Sequence, residues 1–407
     1  MELKNVSLKN TDDFEHIETF HIMFGPQCNM QCRHCSQTPD KGNREINLIL
    51  SDEVKTILDR FIVYSKNRGG GNLAVPGSRI HLWGGEILLH WNLVREIIEY
   101  FTEKYDLLSS YAVRFVITTN GLLLDEEKVE FLNKYGVYVY FSYDAPHPFA
   151  VRGYVSDKIC ELANKIKLLR ILSSGNAINC DPLLAYRCIR KKFPYALGYE
   201  AKIEVVRMFD MPNDIVDYDL NKVRDSIKKL RLAIQIPKDE HERNFALASF
   251  WMDIANLRHP DRNRYAINRE HGCLMGNRML AVTLDGKIPV CHDSCIWIGN
   301  INDSLKEIRE KAFAYLAERI DKSCDTCNYL PICNGGCPIS MQDENHHYVV
   351  CDNFRKPYFD ILKEECFKLV EPLSDEDIKW YREQELIMEK QIEEFLLEGK
   401  KASENNK

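Results

Sequence analysis

The chain of 407 residues is 45% hydrophobic and 28% charged, an ordinary balance for a soluble globular protein, and its length suggests roughly two to three domains or one barrel with an appended module. A net charge of −7 without clustered Lys and Arg argues against a nucleic-acid partner, and no apolar run of about eighteen residues exists to cross a bilayer. The polar start MELKNVSLKNTDDFEH is neither a signal nor a transit peptide, so a cytoplasmic protein is expected.

From residue 19 to 235, short β-rich runs alternate with amphipathic helical patterns. TFHIMFG (19–25), RIHLW (79–83), RFVIT (114–118), VYVYFSY (137–143), NAINCD (176–181) and KIEVVRM (202–208) read as strands. Val54, Ile57, Leu58, Phe61 and Ile62 follow Ser51 at helical spacing, as do Leu93, Val94, Ile97, Ile98 and Phe101 further on, and 125–135 and 156–169 repeat the pattern. Six β-then-α units predict a parallel sheet with helices outside, because parallel strands need crossover connections. Six units are too few for an eight-fold barrel, so the fold expected is α/β, with an open, partial (β/α)6 barrel over 19–235 behind an N-terminal segment, 1–18. Residues 236–272 read as a helical linker and 273–370 as a small cysteine-rich domain. The remainder, 371–407, reads as a helix over 374–398, with Ser374 and Asp377 placed as a capping box, and a disordered tail, KKASENNK.

Fifteen cysteines in a reducing compartment point to metal binding or catalysis rather than disulfides. Cys160, Cys180, Cys188 and Cys366 stand alone and read as small buried hydrophobes. In parallel βα sheets the reactive groups gather at the C-terminal strand ends. CNMQCRHC (28–35) follows the first strand, GGE (84–86) the second, TNG (119–121) the third, and SYDAP (142–146) closes the fourth, so all four share one rim. Three thiols, Cys28, Cys32 and Cys35, leave a metal site one ligand short. Either His34 completes a zinc site, or the open corner of an iron–sulfur cubane takes a small molecule.

C-x3-C-x2-C after the first strand of a six-unit βα chain, with GGE on the second, resembles the radical S-adenosylmethionine (radical SAM) enzymes. The resemblance implies a [4Fe–4S] cluster on Cys28, Cys32 and Cys35, with the SAM amino and carboxylate groups on the open iron. It implies cleavage of SAM to methionine and a 5′-deoxyadenosyl radical that abstracts hydrogen from substrate. It also implies that His34 packs near the adenine, that Gly84 and Gly85 let backbone approach the cofactor, and that Glu86 accepts from its ammonium group. Asn120, Ser142 and Asp144 resemble the family's ribose and methionine contacts, and Arg152 an arginine that pairs with the SAM carboxylate. Without the family, Asn120-Gly121 is a turn and Arg152 a solvated side chain.

Downstream, Cys273-x12-Gly286-x4-Cys291 precedes Cys324-x2-Cys327-x5-Cys333-x3-Cys337-x13-Cys351, and AVTLDGKIPVC (281–291) reads as a hairpin turning at Asp285-Gly286. Seven thiols exceed one zinc and suffice for two clusters, while Cys324 and Cys327 alone would also suit a zinc ribbon. The pattern resembles the SPASM domain of one radical SAM branch. That implies two auxiliary [4Fe–4S] clusters, the first on Cys273, Cys291 and Cys337, the second on Cys324, Cys327, Cys333 and Cys351. Cys295 or an open position would complete the first. Asp293 is the candidate catalytic base, because sulfatase-maturing relatives place an acid directly after the matching cysteine, but His292 intervenes here and a solvated or turn-capping Asp is the favoured reading.

Members with this module mostly oxidise peptides or proteins. The resemblance therefore implies an oxidoreductase that makes a crosslink, thioether or related maturation, served by a low-potential donor such as flavodoxin or ferredoxin. Small-molecule dehydrogenation and sulfatase-maturing-like activity are the alternatives within the family, and a non-enzymatic zinc protein the alternative outside it. About eighteen residues precede the first strand, fewer than the roughly 80 of an N-terminal peptide-recognition domain, so a leader peptide would bind elsewhere or through a separate protein.

Overall fold

Seven parallel strands make one sheet in the computed structural model, which describes residues 6–12, 14, 17–32, 35, 48–69, 77–147, 152–153, 155–175, 179–203, 219–258, 275, 278–294, 296–317, 324, 326–329 and 351–405. Strand β1 (Thr19–Met23) leads to α1 (Asp52–Arg68), then β2 (Ser78–Trp83), α2 (Trp91–Tyr105), β3 (Val113–Thr119), α3 (Glu126–Lys134) and β4 (Tyr138–Ser142). The alternation continues through α4 (Asp157–Asn164), β5 (Leu169–Gly175), α5 (Pro182–Lys192) and β6 (Gly198–Ile203) into two further helices, α6 (Leu220–Gln235) and α7 (Glu240–Arg258). Next come β7 (Met279–Thr283), a short ribbon of β8 (Lys287–Pro289) and β9 (Trp297–Asn300), and the helices α8 (Leu305–Ala317), α9 (Lys356–Lys368) and α10 (Asp375–Asn405).

The sheet order is β6-β5-β4-β3-β2-β1-β7, parallel throughout, so the expected α/β architecture with a partial barrel and a C-terminal helix is what the chain forms. Helix starts are fixed locally: Ser51, Asp125, Ser156 and Asp181 each accept a backbone N–H at the N-cap, and Pro182 occupies the first turn of α5. Phe20 and Ile22 of β1, like Ile80 and Leu82 of β2, are fully buried toward the helices, Phe20 meeting Phe61 of α1 at 5.4 Å between ring centroids. No helix among the described residues is long and apolar enough to cross a membrane.

Five local expectations need correction. The fifth strand is Leu169–Gly175 and not 176–181, where 176–178 lie outside the described residues and Asp181 caps α5. The helix before it stops at Asn164 instead of reaching Leu169, because Asn133 of α3 donates to the Lys165 carbonyl at 2.9 Å and accepts from Lys167 N–H at 2.7 Å, pulling the chain out of the helix. The Asp285-Gly286 turn forms, Gly286 at φ +89° donating to the Thr283 carbonyl, but it joins no hairpin ladder. Instead β7 pairs with β1 in the main sheet, and β8 pairs antiparallel with β9. Finally β6 starts at Gly198, earlier than expected, with 204–208 outside the described residues, and α10 runs through most of the supposed tail to Asn405.

Candidate functional site

The C-terminal ends of β1 and β2 are tied together just where the first cysteine loop begins. Phe24 N–H donates to the Trp83 carbonyl, Gly85 N–H to Gly25 and Glu86 N–H to Gln27, each at 2.8 Å. A Cβ on Gly85 would lie 2.3 Å from the Gln27 oxygen and 2.4 Å from that of Pro26, and one on Gly84 2.7 Å from the Gly25 oxygen. Glycine is required at both positions because the loop's own backbone fills that space. From this seat the loop presents Cys28, Cys32 and Cys35, with Met30 N–H directed at Cys28 Sγ (3.4 Å) and Cys35 N–H closing a turn on the Cys32 carbonyl. His34 lies outside the described residues.

Residues from the next strands converge on the same loop. Asn120, after β3, directs its side-chain amide to Asn29 Oδ1 at 2.8 Å and to Cys28 Sγ at 3.9 Å. Its backbone N–H donates to Glu86 Oε2 at 2.8 Å, while Glu86 Oε1 accepts from the Thr119 hydroxyl and from Leu88 N–H. Burial pushes the Glu86 pKa up, and these donors with Arg152 offset part of the rise. Ser142 ends β4, buried, and Asp144 beyond it accepts from Ser174 N–H at 2.8 Å and pairs with Arg152 Nε at 2.8 Å. Arg152 Nη1 reaches Cys32 Sγ at 3.8 Å. Burial works against the Arg152 charge, but Asp144, Cys32 and Cys35 outweigh it and raise its pKa. Three thiols on one loop with N–H donors aimed at two of the sulfurs fit a thiolate-ligated iron–sulfur cluster, whose electronics such donors tune.

Residues 22–178 match the family model of the Radical SAM superfamily. This stretch is a radical SAM domain. Over 350 residues the chain is 22% identical to the radical SAM cyclopropyl synthase TigE of Paramaledivibacter caminithermalis, covering 79% of this chain and 68% of that protein. The anSMEcpe structure with bound AdoMet superposes at a TM-score of 0.55 and 18% identity, covering 89% of this chain and 98% of that one. Streptococcus suis SuiB superposes at 0.51 and 15%, covering 80% and 73%. At these identities the two structures share the fold.

Of the eight cysteines from 273 to 351, Cys291, Cys324, Cys327 and Cys351 are described, and Cys273, Cys295, Cys333 and Cys337 lie outside the described residues. Cys291 follows β8, its Sγ 3.8 Å from His292 Nδ1, and His292 Nε2 lies 3.4 Å from Asp293 Oδ2. Asp293 thus faces its neighbour's imidazole. Cys324 and Cys327 share a turn through a 3.0 Å backbone hydrogen bond, and Cys351 opens the π-helical turn before α9. Lys356, its pKa raised chiefly by Asp352, also feels Cys327 and Cys351, which brings those two thiols to one neighbourhood.

The sequence reading passed over the inward face of the radical SAM domain's sheet. His21 and Met23 of β1 and His81 and Trp83 of β2 alternate with the apolar residues turned toward the helices, and His81 bonds the Thr118 hydroxyl at 2.9 Å. Parallel strands covered on both faces are usually continuously apolar, so a histidine in the middle of each of these strands was the available signal. Thr119 was also missed as the residue that fixes Glu86.

Proposed function

We propose that the chain is a radical SAM oxidoreductase of SPASM type that modifies a peptide or protein, installing a crosslink, thioether or related oxidation. The observation carrying this reading is the approach of Asn120 and Arg152 to the sulfurs of Cys28 and Cys32. Bound there, a [4Fe–4S] cluster with SAM supplies reductive cleavage to a 5′-deoxyadenosyl radical able to take hydrogen from an unactivated carbon. Cys28, Cys32 and Cys35 would be its ligands. Asn120 and Arg152 hold the sulfurs' surroundings positive and fixed, Glu86 would offer its remaining acceptor capacity to the SAM ammonium, and the resemblance assigns Ser142, Asp144, Gly84, Gly85 and, outside the described residues, His34 to the rest of the cofactor's bed. Cys273, Cys291 and Cys337, and Cys324, Cys327, Cys333 and Cys351, would hold two auxiliary clusters, in keeping with a net oxidation. Asp293, backed against His292, would receive a proton from substrate.

The peptide reading draws support from relatives: anSMEcpe has been solved with AdoMet and the Cp18Cys peptide, at 19% identity and a TM-score of 0.54 to this chain. A low-potential flavodoxin or ferredoxin would serve as donor, and the cytoplasm as the place. The test is anaerobic reconstitution with SAM and dithionite, measuring 5′-deoxyadenosine with and without candidate peptides, and hydrogen lost from the peptide by mass. Cys32→Ala should abolish cleavage and Cys333→Ala spare part of it. Stoichiometric zinc in place of iron and sulfide, or no 5′-deoxyadenosine, refutes the proposal.

A further inference from the structure

Below the rim, the inward face of the sheet carries a ring of nitrogen-bearing aromatics. His21 pairs in register with His81, their centroids 5.0 Å apart, and His81 meets Trp83 edge-on at 4.9 Å and Tyr140 at 5.7 Å. His292, from the loop after β8, stacks on His21 at 4.8 Å and meets Trp83 at 4.7 Å. The ring therefore joins β1, β2 and β4 to the downstream cysteine region, on the two strands whose C-terminal ends seat the first cysteine loop.

Two of its polar atoms, His21 Nδ1 and Trp83 Nε1, are buried without a hydrogen-bond partner among the described residues, and His21 as a whole is only 6% exposed. A buried polar group left unbonded is destabilising, and a ligand supplying the bond would recover that cost. Trp83 Nε1 can only donate, whereas His21 Nδ1 accepts or donates according to tautomer. The two strand histidines, His21 and His81, are also uncharged near neutrality. Burial, then the neighbouring imidazoles, hold His21 well below its ordinary value, and burial takes His81 down to about 3. Arg79, two residues before His81 on β2, repels a cation placed beside it. A carboxamide carries one acceptor and one donor on a single uncharged plane, matching the two vacant atoms.

We infer that His21, His81, Trp83, Tyr140 and His292 form a substrate subsite that selects an uncharged carboxamide, as in a peptide group or an Asn or Gln side chain, its oxygen on Trp83 Nε1 and its N–H on His21 Nδ1. The inference rests on the peptide-modifying reading and names the group that site receives. It is tested on the anaerobically reconstituted, SAM-loaded protein by saturation-transfer NMR with propanamide, propanoate and propylammonium at neutral pH, in wild type, Trp83→Phe and His21→Phe. Transfer should favour propanamide and fall about fivefold in each variant, as loss of one hydrogen bond of about 1 kcal/mol requires. Equal transfer to all three probes, preference for propanoate or propylammonium, or no change in either variant overturns it. Should His21→Phe fail to take up iron, Trp83→Phe decides alone. Because SAM cleavage is not the readout, failure of the peptide-modifying reading would show separately, as 5′-deoxyadenosine formation without any peptide product.

Discussion

Arg152 Nε lies 2.8 Å from Asp144 Oδ2, and that carboxylate is wholly buried. The same guanidinium reaches Cys32, so the pair bridges the loop after β4 to the first cysteine loop. Removing one partner of a buried ion pair leaves the other charge without compensation, at a cost of about 3–5 kcal/mol, whereas removing both is far milder. Asp144→Asn should therefore lower unfolding free energy in urea by about 3 kcal/mol, and Asp144→Asn with Arg152→Met should recover most of it. A single variant within about 1 kcal/mol of wild type would show that this bridge does not hold the rim together.

Gly85 offers a second test of the rim. An added Cβ would overlap the Pro26 and Gln27 carbonyls, which cannot move without displacing Cys28. Gly85→Ala should cost about 1–3 kcal/mol, as overpacking does, and should reduce iron taken up on reconstitution. Gly198→Ala is the control: its nearest neighbour would be 3.8 Å away, so stability should stay within about 0.5 kcal/mol. Iron content and urea midpoints for the two variants decide the matter.

Legibility from sequence followed the range of the interactions involved. Strands β1 to β4 and helices α1 to α3 were readable because hydrophobic period and, for α1, the capping Ser51 act within a few positions. The motifs' shared rim was readable too, since parallel strands place their C-terminal ends together. The start of β5 was not, because Asn133, more than 30 residues upstream, ends the preceding helix. Nor was the partner of β7, where the local Asp-Gly turn signal was correct and the ladder lay with β1 at the other end of the chain. The ring of His21, His81 and His292 is likewise a product of register and long-range return, so the histidine inside each strand could be noticed but not its meeting with the others.

His81 makes the fold sensitive to acid. Its pKa falls from an ordinary value of 6.5 to about 3, burial being the largest cause, followed by His292 and Arg79. As pH drops below 6.5 the unfolded chain takes up a proton that the native state refuses until about 3, so stability is lost across that window. One such group contributes at most about 1.4 kcal/mol per pH unit. His81→Gln should therefore shrink the stability difference between about pH 7 and pH 5 by roughly 2 kcal/mol, measured by urea unfolding at each pH. An unchanged difference would place the acid sensitivity elsewhere.

The C-terminal helix is fastened through a buried cation. Arg187 of α5 bonds both oxygens of Glu242 of α7, at 2.8 and 2.9 Å, while the same side chain reaches Glu385 at 2.6 Å and the Tyr381 hydroxyl at 3.3 Å on α10. Burial opposes the Arg187 charge, but the Glu242 bonds lead the contributions that raise its pKa. Glu242→Ala should then cost about 3–5 kcal/mol, because Glu385 lies partly exposed and cannot alone compensate a desolvated guanidinium. Tyr381→Phe, losing one hydrogen bond, should cost about 1 kcal/mol. If α10 docks through this cation, Glu242→Ala will also speed proteolytic cleavage within 375–405 ahead of global unfolding, since the helix then opens as its own unit. Cleavage that keeps pace with global unfolding would mean that apolar packing, through Met388, Ile392 and Phe395, suffices to hold the helix in place.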